Sequence, residues 1–340
     1  MTHFDCDYMA GAHPEVLDAI VKNNTAQTSG YGDDPFCKEA EEMILKACGL
    51  SSGKVFFLVG GTQTNATVLD ALLPRTQGVI AVESGHINTH EAGAVELSGH
   101  KVMTIPGVNG KLRAGDLKKW LEDFYADDTR LHMVAPGAVY ISFPTELGTI
   151  YSREELSELH SVCSEYGIPL YLDGARLGCG LAASKDMTLE DIASLTDIFY
   201  IGGTKMGALF GEALVCKDPT LVPGFFTVMK ARGAVLAKGR LLGIQFRALF
   251  TDGLYFRIGA RAVSLALKLR SVLESRGFRT FIDSPTNQQF FTLPNTVIDK
   301  LSTSITFEYW GPRGEENSRV RFVTSWETTE EDIAALEKAL

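Results

Sequence analysis

The chain has 340 residues, 45% of them hydrophobic and 22% charged, enough for one large core and a smaller second domain. Its net charge of −10 and pI near 5.3 repel phosphate backbones and anionic bilayers, which argues against nucleic acid and membrane surfaces as partners. No apolar run approaches the roughly 20 residues of a membrane helix, the opening MTHFDCDYMAGAHPEV lacks a signal-peptide pattern, and Cys6, Cys37, Cys48, Cys163, Cys179 and Cys216 include no Cys-x-x-Cys pair, so free thiols in a reducing cytoplasm are expected.

In chain order, Pro14–Asn23 and Phe36–Cys48 read as helices. In the second, Ala40, Met43, Ile44 and Ala47 share one face. Between them lies the Gly-rich loop Thr28–Pro35. Strands are then expected over Lys54–Val59, Val79–Val82, His100–Ile105, Ala138–Ser142, Pro169–Asp173 and Asp197–Ile201. Helices are expected over Thr62–Leu73, Thr89–Leu97, Ala114–Phe124 and Ser152–Tyr166. This alternation predicts an α/β fold, a mostly parallel sheet with helices on both faces. Further on, a helical stretch runs from about Leu236 to Arg276, interrupted near Thr251–Gly253. Strands follow at Arg279–Ile282, Gln289–Leu293 and Arg319–Thr324, and a last helix opens on a Thr328/Glu331 capping box. The expected division is an N-terminal segment and large domain over 1–245 and a smaller α+β domain over 246–340.

Three motifs carry chemistry. Gly60-Gly61-Thr62-Gln63-Thr64-Asn65 follows a strand and opens a helix, where free N–H donors and bare glycines can cradle a phosphate. It is neither Gly-x-Gly-x-x-Gly nor a P-loop. Asp173 ends a buried-looking strand, a usual exit point for site residues in open α/β sheets. Lys205, in Gly202-Gly203-Thr204-Lys205-Met206-Gly207, follows another strand, where burial can make an amine nucleophilic. Taken singly, each has a plain structural reading: a tight turn, a helix cap, a solvated lysine. Together they are the parts pyridoxal 5'-phosphate (PLP) needs: a phosphate cradle, an acid for the pyridine nitrogen and a Schiff-base lysine. His86, after a strand, could stack on the ring. His86 and His90 are four apart, but His-Ile-Asn-Thr-His lacks the Glu of a zinc motif, so no metal is expected.

At YGDDP (31–35), GGTQTN (60–65), GHINTHEAGA (85–94), LDGARLG (172–178), GGTKMGALFGEA (202–213) and RFVTSW (321–326), the sequence resembles the low-specificity threonine aldolase and β-eliminating lyase family of fold-type-I PLP enzymes. The resemblance implies a PLP-binding large domain, a small C-terminal domain, and a homodimer or homotetramer with shared sites, in which Tyr31 also contributes. It implies Lys205 as the Schiff-base lysine, Asp173 on the pyridine nitrogen and His86 on the ring. Gly61, Thr62 and Gln63 fall at the phosphate, Thr204 stands before the lysine at a cofactor-binding position where others carry Ser, and Arg176 and Arg321 fall near cofactor and substrate carboxylate. His132 stands about where the family has a second histidine near the substrate hydroxyl. Cys6 stands where relatives carry a substrate-contacting serine. Lys238 or Arg240 takes the place of an arginine reaching the neighbouring subunit's phosphate.

The activity implied is retro-aldol cleavage of L-threonine or L-allo-threonine to glycine and an aldehyde, with His132 or His86 as the base. β-Elimination or transamination on the same scaffold, a non-enzymatic PLP-fold binding protein, and a metal-dependent hydrolase built on His86 and His90 are the alternatives.

Overall fold

A computed structural model describes all 340 residues. The strands, in chain order, are β1 Thr2–His3, β2 Lys54–Leu58, β3 Gln77–Val82, β4 Val102–Ile105, β5 Ala135–Ser142, β6 Leu170–Asp173, β7 Ile198–Gly202, β8 Glu212–Cys216, β9 Arg279–Ile282, β10 Gln288–Pro294, β11 Ile305–Thr306, β12 Glu308–Tyr309 and β13 Asn317–Val323. A 7-stranded sheet runs β2-β8-β7-β6-β5-β3-β4. From β7 to β4 neighbours are parallel, while β8 lies antiparallel between β7 and β2. The expected α/β architecture is therefore present, with β8 an element that the sequence reading did not identify.

Period-two alternation sends neighbouring side chains to opposite faces. On β7, Ile198 and Tyr200 enter one apolar cluster and Phe199 and Ile201 the other. Helices cover both faces and begin where the sequence supplies caps. The helix Pro35–Ala47 starts with Pro and has the Cys37 N–H donating to Asp34 (3.0 Å). The helix Arg153–Tyr166 opens on a Ser152/Glu155 capping box.

Several boundaries differ from expectation. The helix expected over Thr89–Leu97 is two single turns, His86–Thr89 and Ala94–Leu97, because Ala92 (φ 52°) and Gly93 (φ 74°) adopt left-handed backbone between them. The long helical stretch begins only at Arg240. It breaks at Thr251–Gly253, as expected, and resumes as Leu254–Ser275. The last capping box uses Thr329 and Asp332, one residue beyond the expected pair; the Thr328 hydroxyl instead accepts from the Ser325 N–H (2.9 Å).

The smaller sheet, β12-β13-β10-β9, is antiparallel. Its apolar cluster takes in Val320, Phe322, Phe291 and Leu269, together with Phe4 from the other end of the chain. The large core continues through Phe246 and Leu254 to Val263, so packing divides within the helix Leu254–Ser275 rather than at residue 245. β1 pairs in parallel with β11, which places the first residues with the small sheet.

Candidate active site

The residues picked out by motif converge at the C-terminal edge of the parallel strands. Gly60 and Gly61 follow β2, His86 follows β3, Ser142 ends β5, Asp173 ends β6, and Lys205 lies in the turn after β7. Because β8 runs the other way, its first residue, Glu212, pairs with Gly202 at the same edge. Between these residues lies a cavity of about 300 Å³ lined by Gly60, Gly61, Thr62, Asp173, Thr204 and Lys205 among others. A second space of about 250 Å³, reaching the small domain, is lined by His90, Glu308, Trp310 and Arg321. Tyr8, His86, Glu146, Arg176 and Lys205 line both, so the two are chambers of one site.

Asp173 is buried at the back of the first chamber. Tyr140, Tyr171 and Tyr200 occupy one face of adjacent strands because each falls on the same phase of the pleat. Tyr200 (2.5 Å), Tyr140 (2.7 Å) and Asn65 (3.0 Å) donate to the Asp173 carboxylate, and the Tyr171 hydroxyl donates to Asn65 (2.7 Å). Burial alone would push its pKa up. The nearby His86 charge and these donors outweigh burial and hold it below the usual value, so it stays ionised. A buried anion of this kind requires a positive partner.

Lys205 reaches into the junction of the chambers, its ammonium 5.8 Å from the centre of the Tyr8 ring. Burial, with the charge of Arg176, lowers its pKa. The His86 Nδ1 lies 2.7 Å from the Glu91 carboxylate, which also accepts from Asn65 (2.7 Å); this fixes the plane of the imidazole. The ring centroids of His86 and His90 are 5.7 Å apart, and no group of three or more His, Cys, Asp or Glu side chains is arranged to hold a metal.

The helix Gly61–Leu72 points its N-terminus into the first chamber, and no side chain caps it. Its first N–H groups therefore remain free for an anion. The Gln63 side chain is not turned to the chamber, since it accepts from the Val59 N–H (3.2 Å). The Thr204 hydroxyl donates to Glu212 (2.9 Å) and accepts from the Gly211 N–H (3.0 Å). Burial pushes the Glu212 carboxyl up to about 8. Gly174 and Gly202 let the ends of β6 and β7 approach closely: a Cβ at Gly174 would lie 2.0 Å from the Tyr200 carbonyl oxygen, and one at Gly202 2.3 Å from that of Ala175. An anion-binding helix end, a buried ionised carboxylate and a desolvated lysine fit the phosphate, ring nitrogen and aldehyde of PLP.

Arg321 projects from β13 on the face opposite Val320 and Phe322. It donates to Gln288 (2.8 Å), pairs with Glu308 and lies 5.1 Å from the Trp310 ring centre, while its buried Nε has no partner. Arg176 is gripped by Asp7, with Nε–Oδ2 2.6 Å and Nη2–Oδ1 3.0 Å.

Other expected residues lie elsewhere. His132 is exposed in the turn Arg130–His132 before β5, at the opposite end of that strand from Ser142, so it is not in this cavity. Cys6 lines neither chamber; Tyr8, two residues on, lines both. Tyr31, at φ 61°, stacks under the Lys230 ammonium (4.2 Å) beside a separate cleft. Lys238 is exposed, and Arg240 donates to the Asn24 carbonyl (3.4 Å). Residues to which the sequence reading gave no role of their own are Asp7, Tyr8, Asn65, Glu91, Glu146 and Glu212.

The family model for the beta-eliminating lyases matches residues 4–282. The low specificity L-threonine aldolase of Pseudomonas sp. (strain NCIMB 10558) is 28% identical over 98% of this chain and 95% of its own length. The threonine aldolase of Leishmania major superposes with a TM-score of 0.96 at 41% identity, covering 99% of this chain and 98% of that one. A Thermus thermophilus aspartate aminotransferase, 14% identical, shares the fold at TM-score 0.72 over 100% of this chain and 90% of its own. On these grounds the chain belongs to the β-eliminating lyase and threonine aldolase family of fold-type-I, PLP-dependent enzymes.

Proposed function

We propose that this enzyme cleaves L-threonine and L-allo-threonine to glycine and acetaldehyde, with Lys205, Asp173, His86 and the α-helix end at Gly61 forming the cofactor site. The observation that carries the reading is the buried, ionised Asp173 across one chamber from Lys205, with a second chamber beyond it that ends in an arginine. The likeness along the whole chain to threonine aldolases of Pseudomonas and Leishmania supports the substrate.

PLP, when bound, supplies a ring that takes up the electron pair of a bond broken at the substrate's Cα. Lys205 would hold it through an amine whose pKa burial lowers, which favours its nucleophilic form. Asp173 would face the pyridine nitrogen and favour its protonated form. The N–H groups of Gly61, Thr62 and Gln63 would meet the phosphate, with Thr204 beside them and Lys238 or Arg240 from a neighbouring copy. His86, steadied by Glu91, would cover the ring. Arg321, flanked by Arg176, would bind the substrate carboxylate and so orient the Cα–Cβ bond for cleavage.

The same reading makes the enzyme a cytoplasmic homodimer or homotetramer. All six cysteines are unpaired, and no helix is long and apolar enough to cross a membrane. Tyr31 and Lys238 lie clear of the cavity in their own subunit, which suits a role in a neighbour's.

The test is product analysis. Purified protein with PLP should turn L-threonine into glycine and acetaldehyde, and Lys205→Ala should lose both that turnover and the visible absorption of bound cofactor. 2-Oxobutyrate and ammonia as products would instead mean elimination.

A further inference from the structure

Cleaving a β-hydroxy amino acid requires a group that takes the hydroxyl proton, and neither histidine read from the sequence supplies it. His132 is at the wrong end of β5. His86 is engaged elsewhere: its Nδ1 is held 2.7 Å from the Glu91 carboxylate, its ring is the one that would cover the cofactor, and against burial Glu91 and Asp173 raise its pKa.

Glu146 follows β5 and is the single carboxylate that lines both chambers. Its Oε1 accepts from the Ser142 hydroxyl (2.6 Å) and from the His86 backbone N–H (2.9 Å). Its Oε2 is buried and has no partner. Buried acceptors are nearly always satisfied, so an orphaned one beside a substrate chamber marks a place for a ligand's donor. Burial raises its pKa despite the two donors, which makes it a stronger base than an exposed glutamate. Ser142 also lies 3.1 Å from the Tyr140 hydroxyl, which donates to Asp173. One chain of hydrogen-bonding groups thus connects Glu146 to the carboxylate that would face the cofactor.

We propose that Glu146 is the general base of the cleavage, its Oε2 accepting the proton of the substrate's β-hydroxyl. This rests on the threonine-cleaving reading above. As the O–H bond breaks, its electron pair becomes the second C–O bond of acetaldehyde. The Cα–Cβ bond breaks, and its pair remains with the glycine fragment. Cα then takes up a proton that comes from water and not from Glu146, and Glu146 releases its own proton to water, so the protein ends as it began.

Glu146→Gln tests the assignment, because the amide keeps an acceptor for Ser142 and His86 but cannot take a proton. Its kcat for L-threonine should fall about 100- to 10,000-fold. Exchange of the Cα hydrogen of glycine into heavy water, followed by NMR, involves no β-hydroxyl and should stay near the wild-type rate. PLP affinity, titrated into cofactor-free protein, should also be unchanged. Glu146→Asp, which restores a carboxylate on a shorter arm, should recover part of the lost kcat. Threonine cleavage at the wild-type rate in Glu146→Gln would overturn the proposal, and so would loss of PLP affinity and glycine exchange together with cleavage, which would mark a structural role. Wild-type protein that exchanges glycine but leaves threonine intact would overturn the threonine reading itself, and the proposal with it.

Discussion

Arg176 and Asp7 form a two-pronged ion pair across the site, Nε–Oδ2 2.6 Å and Nη2–Oδ1 3.0 Å, with the Asp7 side chain 1% exposed. Asn287 adds a third bond to the same carboxylate (3.0 Å). Arg176 therefore spends much of its guanidinium on the protein while still lining both chambers. Removing one partner of a buried pair typically costs about 3–5 kcal/mol, so Asp7→Asn should lower stability by roughly that amount in urea unfolding at pH 7. Burial opposes the Asp7 charge, but Arg176, Lys205 and Asn287 hold its pKa below 3.8. Its contribution is thus complete above the unfolded value near pH 4 and is lost as pH falls through the lower folded value. The gap between wild type and variant should narrow in acid; a gap that widens there would contradict the pairing.

Asp173→Asn should fold and yet lose about 100- to 1,000-fold in kcat, the range seen when one electrostatic contact at a reacting centre is removed. Tyr140, Tyr200 and Asn65 all donate to this group, so the amide also meets a mismatched donor. Circular dichroism and PLP content should be measured alongside kcat. Full activity with PLP retained would reduce Asp173 to a structural acceptor.

Arg321→Lys should cut kcat/KM for threonine about tenfold or more, since lysine keeps the charge and loses the planar fork. Glu308 already pairs with Arg321 and holds it in the second chamber, so the variant should still bind PLP. Unchanged kcat/KM in both Arg321→Lys and Arg321→Ala would show that the arginine serves only its pairing with Glu308 and Gln288.

Glu212 predicts a pH signature. Burial outweighs the bonds from Thr204 and the Gly203 N–H and raises its pKa to about 8. Between its unfolded value near 4.5 and 8, the folded protein binds the additional proton, so this group's contribution to stability declines as pH rises through that window. Lys205, whose pKa is lowered chiefly by burial, acts in the opposite direction, and removing the Glu212 charge lowers it further, which adds to the same difference between the two proteins. Cofactor-free Glu212→Gln should therefore lose less stability than wild type between pH 6 and pH 9, measured as the shift in urea midpoint. Parallel curves would indicate an ordinary exposed carboxyl.

The sequence was most legible where chemistry sits directly after a strand. Gly61, His86, Asp173, Thr204 and Lys205 come together because parallel strands deliver their C-terminal ends to one edge. His132 misled because it lies near β5 in sequence but at that strand's start. Glu146, at the useful end, carried no motif. Asp7 and Asn65 act through partners far away in sequence, Arg176 for Asp7 and Asp173 for Asn65, and periodicity says nothing about such pairs. The capping-box error has a local cause: Thr328 with Glu331 and Thr329 with Asp332 have identical spacing, and only the turn in which the Ser325 N–H donates to Thr328 decides between them. β8 was missed because it is a short strand after a glycine-rich turn, running against the pattern of its neighbours.

The pairing of β1 with β11 sets a timetable for synthesis. His3 and Thr306, in contact through their side chains, are 303 positions apart. The first strand leaves the ribosome with its partner still uncoded in peptide, and closing so long a loop is slow. Phe4 must likewise wait for the small-domain core, and Asp7 follows it only three residues later. The large domain can assemble its sheet, and Lys205 with it, while Arg176 still lacks its counter-ion. The competent pocket is therefore a late product of folding, finished when the last third of the chain captures the first few residues.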